Sequence, residues 1–256
     1  MASPLILVTA SILLATAVLF ALVAALSGRR TYSRENRIAG IAFTLGWAAL
    51  ATKALFDAGR MLIPFLGGQE TVLWLTFTRF VIVATALSIW GFGYYVGFLW
   101  SGRARFNLPL AFFAGSHALD FLYFIEATQQ LSVVAGTWGV RIQETSPGLP
   151  PLAGAVILVY FFVPILLIAA AYLILSFRLP HRLQRLRAAS IALAVITYMA
   201  GGIYLSAPQA DPNSILNPIA ATTILIASTL AYALYRNPAW LQRRIGPIKE
   251  TTPSRT

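Results

Sequence analysis

"LILVTASILLATAVLFALVAALSGRR", Leu5–Arg30, decides the class of this fold. It carries no charge from Leu5 to Leu26, and then Arg29 and Arg30 arrive together. At the rise of an α-helix, a run of this length crosses the roughly 30 Å hydrocarbon core of a bilayer. No basic residue precedes the apolar core, which is longer than that of a signal peptide. The arginines follow it as a stop-transfer signal would, so the run reads as a retained transmembrane helix.

The rest of the chain repeats the pattern. Of its 256 residues 58% are hydrophobic and 11% charged, where a soluble domain carries about 25% charged residues. Too few polar side chains exist to solvate a globule of this size, so the reading is an all-α polytopic membrane protein. Apolar runs predict seven spans, over Pro4–Ser27, Arg37–Ile63, Thr71–Leu99, Leu108–Leu131, Leu152–Phe177, Ala188–Leu205 and Ile215–Tyr235. Residues 1–236 form the seven-helix domain, and 237–256 form a short basic tail. The absence of cysteine excludes disulfides, thiolate metal sites and thiol nucleophiles.

The connections orient the chain. Arg29, Arg30, Arg34 and Arg37 join spans 1 and 2; Arg103 and Arg105 join spans 3 and 4. Arg178, Arg182, Arg185 and Arg187 lie between spans 5 and 6, and Arg236, Arg243, Arg244, Lys249 and Arg255 follow span 7. The opposite connections offer Arg141 with Glu70, Glu144 and Asp211. The positive-inside rule then places the N-terminus outside and the C-terminus in the cytoplasm of a multi-pass protein of the cell membrane. A net charge of +11 fits basic loops against anionic lipid heads rather than nucleic acid, for which no soluble domain exists. Further membrane proteins are possible partners.

Smaller marks have local readings. Pro109 suits the first turn of span 4, and Pro164 should kink span 5. Gly93 and Gly97 permit a close helix contact. Trp74, Trp90, Trp100 and Trp240 read as interface anchors. The outer connection Ser132–Pro151, with its turn-rich "ETSPGLPP", is placed to cap the bundle.

"ATKALFDAGR", Ala51–Arg60, breaks the apolar pattern. Lys53, Asp57 and Arg60 are spaced i, i+4, i+7 and share one helical face. Arg79 in span 3, and His117, Asp120 and Glu126 in span 4, are the other ionisable groups within the spans. Most of these seven residues fall in the outer half of the membrane. Three cations and three carboxylates nearly cancel, and an unpaired charge at mid-membrane costs at least about 2.5–3.5 kcal/mol. The expectation is that Asp57 bridges Lys53 or Arg60 and that Arg79 faces Asp120. His117 and Asp120 are helical neighbours; Glu126 lies on a different face. Arg60 and Glu126, near the outer boundary, have the length to snorkel.

Two uses of this network stay open. It either pins three helices together or lines a water-accessible site that binds or senses a small ligand or ion. An ion- or proton-coupled carrier would need a polar path to the inner face, for which Thr197, Tyr198, Thr222, Thr223 and Ser228 are available. An accessory structural subunit of a larger complex needs the network alone. No catalytic motif or metal-ligand spacing occurs, and the cofactor is unknown.

Seven spans, an outside N-terminus and short loops resemble the microbial rhodopsin family. "IPFLGGQETVLW", Ile63–Trp74, looks like that family's segment joining helices two and three, a Pro-Phe-Gly-Gly turn with a tryptophan entering the next helix. Arg79 stands in the region where the family keeps an arginine and a carboxylate counter-ion. The resemblance implies an opsin-like or receptor-like bundle. It departs from the family at the retinal lysine, because span 7, "SILNPIAATTILIASTLAYALYR", has neither lysine nor acid. Lys53 and Lys249 are the chain's lysines, so no covalent retinal is expected at the usual seventh-helix position.

Overall fold

The computed structural model describes residues 3–31, 37–66, 70–101, 131–144, 163–206, 211–236 and 238–239. They form helices α1 (Ile6–Thr31), α2 (Arg37–Leu66), α3 (Glu70–Ser101), α4 (Val163–Arg178), α5 (Arg182–Ser206) and α6 (Leu216–Arg236). Strands β1 (Leu131–Ala135) and β2 (Val140–Glu144) lie between α3 and α4 in the chain. Helix dominates, and the Ile6–Arg29, Arg37–Leu66, Glu70–Trp100 and Leu216–Arg236 segments are long and apolar enough to cross a membrane.

Six helices are described, not seven. The predicted span Leu108–Leu131 lies outside the described residues except for Leu131, which opens β1. The all-α expectation is corrected by an antiparallel hairpin in which Val133 faces Ile142 and Ala135 faces Val140. Its physical reason is local: "LSVVA" and "VRIQE" are rich in β-branched residues and flank a loop with glycine at both ends, Gly136 and Gly139. The predicted kink at Pro164 falls at the first turn of α4, and Pro109 and Trp240 lie outside the described residues. Pro64 and Phe65 belong to the last turn of α2, not to the connecting turn that the rhodopsin resemblance implied.

Helix starts follow the capping rules. The Ser3 hydroxyl accepts from the Leu5 N–H (3.3 Å), with Pro4 in the turn that leads into α1. Ser214 does the same for Leu216 (3.2 Å) at α6, where Pro218 follows. Inside the helices, hydroxyls return to their own backbone: Thr16 to Ile12, Thr44 to Gly40, Thr85 to Val81. In lipid this leaves few polar groups to satisfy elsewhere.

The helices close a ring. Helix α1 packs on α2 and α6, α2 on α3, α3 on α4, α4 on α5 and α5 on α6. Large apolar side chains point outward around it, among them Val18, Leu55, Leu167 and Ile226. The interior is aromatic: Trp47 packs against Phe20 (centroids 5.6 Å), Phe92 (5.1 Å) and Tyr235 (5.8 Å).

The two ends of the ring differ in charge. At one end lie Arg29, Arg37, Arg178, Arg182, Arg185, Arg187 and Arg236. Arg187 near the start of α5 donates to the Leu234 carbonyl at the end of α6 (3.1 Å). Among the described residues every acid, Asp57, Glu70, Glu144 and Asp211, lies in the half toward the other end. There the hairpin sits. Trp138 accepts from Thr9 of α1 (2.8 Å) and donates to Pro212, between α5 and α6 (3.0 Å). A Cβ on Gly136 would stand 2.5 Å from the Pro212 carbonyl carbon, so the hairpin can dock this closely only with glycine there.

Candidate functional site

The i, i+4, i+7 face of α2 does what its spacing predicts. Lys53 Nζ lies 2.9 Å from Asp57 Oδ2, and Arg60 pairs with Asp57 Oδ1. All three are buried at 3–6% exposure. Arg60 does not snorkel: its guanidinium turns inward to Asp57 and lies 5.1 Å from the centre of the Trp74 ring. Trp74 is correspondingly buried at 4%, not an interface anchor.

Tyr198 of α5 completes the group. Its hydroxyl donates to Asp57 Oδ2 (2.9 Å), and its ring lies 4.3 Å from Lys53 Nζ. Gly202, one turn on, lies beside the ammonium; a Cβ there would make ordinary contact with Lys53 Nζ (3.5 Å) and the Tyr198 ring (3.4 Å). One carboxylate thus takes three donors from two helices. A buried ion pair offsets its desolvation only when its remaining bonding capacity is used in this way.

A second cation stands above this group, on the hairpin. Arg141 of β2 is buried at 3%. It donates to the carbonyls of Leu205 (2.6 Å) and Tyr204 (3.1 Å) at the end of α5, and to the side chain of Asn217 in α6. A cation among the last carbonyls of a helix meets the negative end of its dipole. Asn217 in turn donates to the Ser214 (2.9 Å) and Asp211 (3.1 Å) carbonyls. Burial pushes the Arg141 guanidinium down to about 10; the charge of Arg60 acts the same way, while Tyr204 and Asp211 oppose. Among the described residues no other partner meets its Nε.

The other predicted members are placed differently. Arg79 stands exposed on α3, not enclosed with the triad. His117, Asp120 and Glu126, and with them the expected Arg79–Asp120 pairing, lie outside the described residues. The near-neutral cluster is therefore not assembled among the described residues, whose buried charges are Lys53, Asp57, Arg60 and Arg141. Sequence reasoning assigned Arg141 to a loop and Tyr198 to a transport path. The signal for Arg141 was its isolation, as the lone arginine of the acid-bearing connections.

Of the residues named for a polar path, Tyr198 joins Asp57, and the others bond their own helices. The Thr197 hydroxyl bonds the Leu193 carbonyl, Thr222 bonds Pro218, Thr223 bonds Ala220 and Ser228 bonds Leu225. Among the described residues the Tyr198 ring packs on Phe20 (6.1 Å between centroids), which packs on Trp47. Among the described residues, no three His, Asp or Glu side chains are grouped to hold a metal ion. Protein families, curated proteins and solved structures give no match to this chain.

Proposed function

We propose that this is a seven-helix, opsin-like or receptor-like membrane protein of the cell membrane, with its hairpin end outside. On this reading the group around Asp57 binds or senses a small polar ligand or ion. The observation that carries the proposal is one buried carboxylate held by Lys53, Arg60 and Tyr198 beneath a docked hairpin. Intramembrane ionisable residues are rare because they are costly, and they mark sites by default. The hairpin docks on α1 and on the α5–α6 connection at the end from which a ligand would enter. Helix α6, the seventh span of this reading, carries no lysine. Added retinal should therefore give no visible absorption band through that helix.

The carrier reading is weaker. Among the described residues the hydroxyls it needs bond their own helices, and Phe20 and Trp47 pack together beyond Tyr198.

Thermal unfolding of the protein in lipid nanodiscs, titrated with simple carboxylates, amino acids and monovalent salts, tests the proposal. A solute that raises the midpoint of the wild type but not of Lys53→Gln supports it. If none does, and Asp57→Asn and Lys53→Gln merely lower the midpoint, the network is structural and the accessory-subunit reading stands.

A further inference from the structure

We propose that the arginine end carries a binding site for an anionic phospholipid headgroup, formed by Arg178, Arg182 and Arg185 beside Trp100. The proposal depends on the membrane-spanning reading but not on a ligand at Asp57. Among the described residues no acid lies at this end. All three arginines are exposed, and they sit within eight positions at the α4–α5 turn. Arg182 and Arg185 are one helical turn apart, on the same side of α5.

The site has structure beyond its charge. The Arg178 guanidinium lies 5.4 Å from the centre of the Trp100 ring, which covers one of its faces and leaves its N–H edges to meet phosphate oxygens. The first bond at the start of α5 runs from the Arg185 N–H to the His181 carbonyl (3.0 Å), so the amides just before it have no acceptor within the helix. Below the arginines the surface turns apolar: Phe177 is 76% exposed and Trp100 49% exposed. Cations above an exposed aromatic shelf match a lipid, phosphate above acyl chain. A free phosphate would have no use for the shelf.

The test uses the whole chain, extracted from nanodiscs made of equal parts phosphatidylcholine and phosphatidylglycerol, with bound lipid counted by native mass spectrometry. Phosphatidylglycerol should be retained over phosphatidylcholine. Arg178→Gln, Arg182→Gln or Arg185→Gln should each lower its retention about fivefold, which is ~1 kcal/mol per basic residue at an anionic surface. Arg29→Gln and Arg37→Gln, at the same end but off this turn, should change it little, and Arg182→Lys should keep most of it. Unchanged unfolding in phosphatidylcholine alone certifies that the variants fold. Equal retention of both lipids, equal losses at Arg29 and Arg37, or full displacement by soluble glycerol phosphate would overturn the proposal.

Discussion

The Tyr198 hydroxyl donates to Asp57 Oδ2 over 2.9 Å, joining α2 to α5 across 141 positions of sequence. Lys53 shares that oxygen and also lies on the face of the same tyrosine ring. One side chain of α5 thus supplies both a donor for the acid and a π-face for its cation. Three charges on one helix become a link between helices that are not neighbours in the ring.

Removing the acid should be the most damaging change in the group. Asp57→Asn leaves Lys53 and Arg60 buried without their shared carboxylate, a loss on the order of 3–5 kcal/mol. Lys53→Gln leaves Asp57 with Arg60 and Tyr198 and should cost clearly less. Unfolding in mixed micelles, titrated with denaturing detergent, gives the order. Equal losses would mean that Asp57 is not the centre of the network.

Tyr198→Phe deletes the hydroxyl and keeps the ring. Interhelical hydrogen bonds in membranes average about 0.6 kcal/mol and reach about 1.7, so the variant should lose an amount in that range. Tyr198→Leu, which also removes the face beneath Lys53, should lose more. In a double-mutant cycle with Asp57→Asn, the phenylalanine change should cost little once the acceptor is weakened. Full additivity would show that the hydroxyl stabilises through another contact.

The local half of this site was legible in the sequence, and the long-range half was not. Spacing alone puts Lys53, Asp57 and Arg60 on one face, because helical periodicity is set by the backbone. It cannot reveal which neighbour that face meets. Tyr198 is an ordinary aromatic residue in an apolar run, and its role comes from how α5 packs in the ring. Arg60 was misplaced for a related reason: depth along a helix suggests snorkelling, but a carboxylate one turn back and a tryptophan on α3 hold it inside. The hairpin was hidden because Ser132–Pro151 reads as one turn-rich connection, in which two five-residue runs are too short to stand out as strands.

Arg141 ties the hairpin to both α5 and α6, so Arg141→Gln should loosen that end. Hydrogen bonds from a charged donor are worth about 1.5–3 kcal/mol, and the loss should appear as faster amide exchange at Leu205 and Asn217. Its pH dependence has a definite sign. The folded value, about 10, lies below the ordinary guanidinium range, so between the two the unfolded chain holds the proton more often. Stability from this group therefore rises with pH through that window and is flat below it. From about pH 6 to about pH 9 the gap between wild type and Arg141→Gln should stay constant; a gap that changes there would point to another titrating group.

Gly91 sets how closely α3 approaches α2. A Cβ at this position would stand 2.7 Å from the Gly46 nitrogen and closer still to the Ala42 carbonyl oxygen. Both are backbone atoms of α2, so no side chain can swing aside, and the helices must separate. That motion would pull Phe92 from Trp47 and Phe43, its ring partners across the crossing. Gly91→Ala should therefore cost about 1–3 kcal/mol, the range for overpacking. Gly59→Ala should cost less, since its new methyl would meet only the Phe77 ring, at 3.0 Å. Gly28→Ala in α1 would make ordinary contact with Thr44 at 3.4 Å. It should be neutral or stabilising by up to about 1 kcal/mol, the helix-propensity gain of alanine over glycine. Detergent unfolding of the three variants gives the ranking. If Gly91→Ala is as well tolerated as Gly28→Ala, the α2–α3 crossing is held by its side chains and not by backbone contact.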